Sequence, residues 1–111
     1  MLIIHGNTEI RIDPRRSEIL IGRGEECDIQ VRDPFASRRH ALIVLRRTQV
    51  HLVDQSTNGT FVRRVTGEYA HVFRSELLLD GAGQISLGRA FDQPEVELIQ
   101  FRRDRRALYR P

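Results

Sequence analysis

The stretch SRRHALIVLRRTQVHLVDQSTNGT, residues 37–60, decides the fold class. Two apolar runs, 40–45 and 50–53, stand on either side of Arg46-Arg47-Thr48-Gln49. Each has strand length, and neither sustains a 3.6-residue period. Asn58-Gly59 is a strong turn dipeptide, and Thr60-Phe61-Val62 opens a further strand behind it.

Working outward, the same grammar repeats. Residues 2–5 and 9–13 flank the turn pair Gly6-Asn7, and Asp13-Pro14 breaks the chain. A short run at 19–21 ends at Gly22, residues 28–31 alternate polar and apolar, and Asp33-Pro34 breaks the chain again. Beyond the quoted stretch, 68–73, 75–79, 83–87 and 96–101 complete the set. Short strands at close spacing between Gly, Pro and Asn turns argue for an all-β sandwich or barrel.

Composition narrows the function classes. The 111 residues suit one domain, and 40 % hydrophobic content supports a core, which excludes a fully disordered chain. The longest apolar runs are far too short to cross a bilayer, so no membrane partner is expected. No basic stretch followed by an apolar one opens the chain, so the expected compartment is the cytoplasm. A single cysteine, Cys27, excludes an internal disulfide framework and a cysteine-based zinc site, and reads as a small buried residue between strands. All 18 basic residues are arginine, yet the net charge is only +3. Arginine pairs such as 15–16, 46–47 and 63–64 alternate with acids, and no aromatic stacking platform accompanies them. Solvated faces are therefore expected for most, with one or two functional arginines and no nucleic-acid partner. Residues 1–101 read as the domain, and 102–111 as an arginine-rich tail or linker.

Three turn regions stand out together: Gly22-Arg23, then Ser37-Arg38-Arg39-His40, then Ser56-Thr57-Asn58-Gly59-Thr60 after Val53-Asp54. Singly, each is an ordinary surface feature. In this order and spacing the chain resembles the forkhead-associated (FHA) family, whose hallmark of Gly-Arg, Ser-x-x-His and Asn-Gly-Thr it carries. Asp28-Ile29 and Ile85-Ser86-Leu87-Gly88 agree as flanks, and the likeness runs from about residue 2 to residue 101.

The resemblance implies a sandwich of two twisted, largely antiparallel sheets with binding loops at one edge. It implies a non-catalytic module that recognises phosphothreonine in a partner or in its own parent chain, downstream of a Ser/Thr kinase, with no cofactor and no metal. Carried over residue by residue, Arg23 supplies the cation, Ser37 and Thr57 supply hydroxyls, Arg38 makes a second polar contact, and Asn58 bonds the peptide main chain. His40 braces the serine loop, while Gly22 and Gly59 allow backbone conformations closed to a residue with a Cβ. The chemistry fits independently: phosphothreonine brings about −1.5 to −2 charges and three acceptor oxygens, and a guanidinium fork can grip two of them.

The match loosens after the Asn-Gly-Thr turn. Asp80-Gly81-Ala82-Gly83 stands where the family often has Gly-Asp, and residues 63–79 are charged with few turn signals. Residues 78–87 resemble bacterial proteins in which such a module precedes a nucleotide cyclase. Rival readings fare worse. Ser37, His40 and Asp54 are the residue types of a hydrolytic triad, but the Gly-x-Ser-x-Gly elbow is missing and the Ser-His spacing at a strand entrance favours opposite faces. Gly22-x-Gly24 lacks the third glycine and the helix of a dinucleotide fingerprint. A module of the same fold that binds a partner surface without phosphate remains the alternative.

Overall fold

The structure, a computed structural model, describes residues 1–103. All regular elements among them are strands. One sheet has six, in the order β2 (Thr8–Arg11), β1 (Leu2–His5), β11 (Leu98–Arg102), β10 (Ala82–Leu87), β7 (Thr60–Arg64) and β8 (Tyr69–Val72). The other has five, in the order β4 (Ile29–Gln30), β3 (Glu18–Gly22), β5 (Ala41–Arg46), β6 (Gln49–Asp54) and β9 (Glu76–Leu79). Named strands pair antiparallel except β3 with β4. This is the two-sheet sandwich expected from the turn-punctuated pattern.

The period of two explains the layering. On β5 and β6, Ile43 lies opposite Leu52 with both fully buried, while Leu42 and Val53, on the other face, are half-buried. On the facing sheet Ile3, Ile85, Ile99 and Phe101 turn inward. Burying each such side chain contributes about 1.5–3 kcal/mol, so the two inner faces supply the main cohesion of the fold.

Three details position the site. First, β8 and β9 are neighbours in sequence but sit in opposite sheets: β8 pairs with β7, while β9 crosses over to β6. Their connection therefore spans the sandwich beside the β6–β7 loop. Second, the loops after β3, β4, β6, β8 and β10 gather at one end, because Gly22, Ala41, Asp54, Thr60 and Leu87 all lie at that end of their strands. Third, the first and last strands are direct neighbours, with Leu2 opposite Arg102 at the other end. Arg102 thus closes β11 rather than opening a tail, and residues 104–111 of the expected linker lie outside the described residues.

Candidate functional site

The β3 strand must leave its sheet under the incoming 37–40 segment. A Cβ on Gly22 would stand 2.4 Å from the Arg38 carbonyl oxygen and 2.8 Å from the His40 nitrogen. Glycine is required there by close approach, not by the special backbone conformation expected from the sequence, since Gly22 has no positive φ. Gly59 does meet that expectation, with φ +88°. The Arg23 N–H donates to the Ser37 carbonyl at 2.9 Å and the Gly24 N–H to the Arg38 carbonyl at 2.9 Å, stitching the first loop to the second.

The second loop is folded on its own side chains. The Asp33 carboxylate accepts the Phe35 N–H at 2.9 Å, and its carbonyl accepts the Ala36 N–H at 3.0 Å, turning the chain at Pro34. Arg89, on the β10–β11 loop, pairs with Asp33 at 2.8 Å and lies 4.3 Å over the Phe35 ring. The hydrogen bond from Arg89 holds the Asp33 carboxyl below its ordinary value.

His40 locks this loop to the third. Its Nδ1 accepts the Ser37 backbone N–H at 2.9 Å, and its Nε2 faces the Gly59 carbonyl at 2.8 Å. Only the neutral ring protonated on Nε2 satisfies both bonds. Burial, the largest influence, pushes the His40 pKa below its usual 6.5 despite the opposing pull of Gly59 and Asp54. His40 thus joins the Ser37 main chain to the Gly59 main chain through its two ring nitrogens. The hydrolytic triad fails on the same bonds: His40 engages the main chain of Ser37, while the Ser37 hydroxyl accepts the Thr57 N–H at 3.1 Å.

Asp54, fully buried at its side chain, organises the third loop. Its Oδ1 accepts the Ser56 and Thr60 hydroxyls at 2.7 Å each, and its Oδ2 accepts the Ser56 N–H at 3.2 Å and the Arg74 N–H at 2.8 Å. The Ser56 hydroxyl in turn accepts the Gly59 N–H at 2.7 Å. Burial alone raises the Asp54 pKa, but the donors together outweigh it and leave the carboxyl below its ordinary value. From the sequence, Ser56 belongs to the turn and Asp54 precedes it as a weighed triad member, but neither was identified as the hub of the loop. A carboxylate followed by Ser and Thr at two and six residues is the signal that marks such a hub.

The groups left at the surface are the ones that suit an anion. Arg23 is exposed, and its Nε–H donates to the Ala36 carbonyl at 3.0 Å. Among the described residues no carboxylate pairs with it, so its terminal nitrogens keep their donors. The Ser37 hydroxyl, having accepted from Thr57, retains its proton to give. The Thr57 and Asn58 side chains are exposed, and one Asn58 amide N–H is spent on the Phe35 carbonyl at 3.0 Å, which orients the carboxamide. Arg38 is the exception: its guanidinium lies 3.7 Å from Glu26, and Arg39 lies 4.0 Å from the same carboxylate. Both pairs are exposed, where an ion pair contributes little and yields readily to a stronger anion. All five residues expected to touch the ligand stand on the stitched loops, and Gly22, His40 and Gly59 lie beneath them.

Cys27 departs from expectation. It lies in the β3–β4 loop, half-buried rather than between strands, and its thiol donates to the Arg38 carbonyl at 3.0 Å. Burial, the largest influence, raises its pKa, which keeps it a thiol and a donor.

Comparison with known proteins agrees with this architecture. The family described as FHA domain matches residues 19–77. The FHA domain-containing protein FhaB of Mycobacterium tuberculosis is 36 % identical over 58 residues, covering 51 % of this chain and 37 % of its own length. The chain thus spans well under half of that relative. The FhaA FHA domain, solved in complex with the intracellular domain of Rv3910, superposes with a TM-score of 0.64 at 26 % identity, covering 90 % of this chain and 98 % of that one. The N-terminal FHA domain of S. cerevisiae Rad53p, solved with a phosphothreonine peptide, gives 0.70 at 24 % identity over 96 % of both chains. Mycobacterium tuberculosis Rv1747 FHA-1 gives 0.69 at 19 % identity over 91 % of this chain and 92 % of that one. The last two likenesses show the shared fold.

Proposed function

The chain belongs to the FHA domain family, and from that membership and the loop geometry we propose that it binds phosphothreonine in a protein segment, without catalysing a reaction on it. The carrying observation is Arg23: an exposed guanidinium pinned through Nε to the Ala36 carbonyl, with no described carboxylate on it, beside the Ser37 hydroxyl and the Thr57–Asn58 turn. A dianion placed there meets a charged fork, two hydroxyl donors and an amide without any loop having to form. The partner is a phosphothreonine-bearing protein, or a phosphorylated segment of a longer parent chain, and the reading implies a Ser/Thr kinase upstream and a cytoplasmic setting. Charge-assisted bonds contribute about 1.5–3 kcal/mol each, and two or three of them, less the ordering cost, give micromolar affinity.

The test is calorimetry with an alanine-based peptide carrying one threonine or one phosphothreonine. Binding of the phosphorylated form alone is expected. Arg23→Ala should lower that affinity about 10- to 100-fold with an unchanged melting temperature, and Ser37→Ala should lower it less, since a neutral donor contributes less than a charged fork. Equal binding of both peptides would instead establish a surface that works without phosphate.

A further inference from the structure

Arg23 has a counterpart. Arg74, on the connection between β8 and β9, is exposed, and its Nε–H donates to the Ser56 carbonyl at 2.7 Å, just as that of Arg23 donates to Ala36. Ser56 immediately precedes Thr57, whose N–H meets the Ser37 hydroxyl. The two guanidiniums are therefore anchored to the two loops that meet at the Ser37–Thr57 bond. Several other arginines are matched by acids: Arg16, Arg38, Arg39, Arg46, Arg64, Arg89 and Arg103 each lie within ion-pair distance of a carboxylate. Among the described residues none pairs with Arg74.

Its placement is also costly. Arg74 sits at φ +53°, the left-handed region that residues with a Cβ disfavour. That conformation is held because its N–H is donated to the buried Asp54 carboxylate at 2.8 Å. The Phe73 ring, half-exposed, lies 5.5 Å beneath the guanidinium. The side chain is thus fixed at backbone and at Nε, while its terminal nitrogens keep their donors toward solvent.

We propose that Arg74 is a second anion-reading residue, which recognises an acidic group carried by the same ligand a few residues from its phosphothreonine. The proposal rests on the phosphothreonine reading. An extended peptide advances about 3.3 Å per residue, so a side chain near the phosphothreonine can reach past the Ser56–Thr57 backbone to the Arg74 fork. The acidic group is an Asp or Glu carboxylate or a second phosphate; both offer the paired oxygens that a guanidinium fork binds.

The experiment measures affinities for alanine-based phosphothreonine peptides in which one Asp is moved through the positions on either side, with parallel peptides carrying a second phosphothreonine there. The wild type should prefer the acidic peptide over the neutral one by about 5- to 10-fold at one or two positions, and the arms with Asp and with phosphate show which source is read better. Arg74→Asn removes the charge with a residue that accepts the left-handed conformation, and should bring that preference to within 2-fold. Arg74→Lys should restore part of it. The preference is a ratio within one protein, so a loosened Ser56–Thr57 loop does not imitate the result. A wild type with no acidic preference at any position, or one whose preference survives Arg74→Asn, would overturn the inference while leaving phosphothreonine binding in place. Failure of the wild type to distinguish phosphothreonine from threonine would overturn the underlying reading, and the inference with it.

Discussion

The two ends of the sandwich are built on different physics. At the loop end lie all five buried polar residues of the described chain: His40, Asp54, Ser56, Thr60 and Ser86. At the other end the connections are short turns: Arg47-Thr48 and Thr66-Gly67 join neighbouring strands, Asp80-Gly81 crosses from β9 to β10 in the other sheet, and positive φ values at Arg47, Gly67 and Gly81 close the corners. Those corners follow from local backbone geometry. The loop end instead joins elements distant in sequence, and no local turn rule holds loops from five connections in register. A buried polar atom stabilises only when its partners are in place. Concentrating such atoms under the binding surface makes each correct loop position depend on the others.

That contrast can be broken most sharply at His40. His40→Ala removes a fully buried ring and strands the Ser37 N–H and Gly59 carbonyl. A loss of about 2–4 kcal/mol is expected in urea unfolding, together with weaker phosphopeptide binding. An unchanged midpoint would show that the loops hold without their lock.

Acid should act at the same end. The His40 pKa is depressed in the fold, so its contribution to stability is complete above its unfolded value of 6.5 and is lost as pH falls through the folded value. Asp54, also depressed, contributes above 3.8 and adds its own loss at lower pH. The melting temperature should therefore fall on acidification below about pH 6.5, and His40→Gln should flatten the first part of that fall. An equally steep fall in the variant would assign the acid sensitivity elsewhere.

The smallest effect is expected at the turn end. Val65, 77 % exposed beside Gly67, can be exchanged for Ser at a cost within about 0.5 kcal/mol and with no change in peptide affinity. A substantial loss of binding there would mean that the two ends are coupled through β7.

This division also explains what was legible beforehand. The strands announced themselves as short runs between turn residues, so even β8 and β9 fall within the runs read at 68–73 and 75–79. Their assignment to opposite sheets was not visible, because pairing partners are chosen by the core and not by the segment. Arg23, Ser37, Thr57 and Asn58 were readable as a spaced motif. Arg74 was not, since no glycine marks its left-handed corner and its role depends on Asp54, 20 residues away. Cys27 was misplaced for a related reason: its composition suggests a core residue, while its position follows from Asp28, whose carboxylate holds the Leu20 N–H at 2.8 Å and fixes where the loop must run.

The pairing of Leu2 with Arg102 brings the first and last strands together at the turn end, away from Arg23 and Arg74. A module with that layout behaves as a cassette. It can be spliced by both ends into a host protein, or carried in tandem copies on one scaffold, and every copy would present its recognition face outward, clear of the seam.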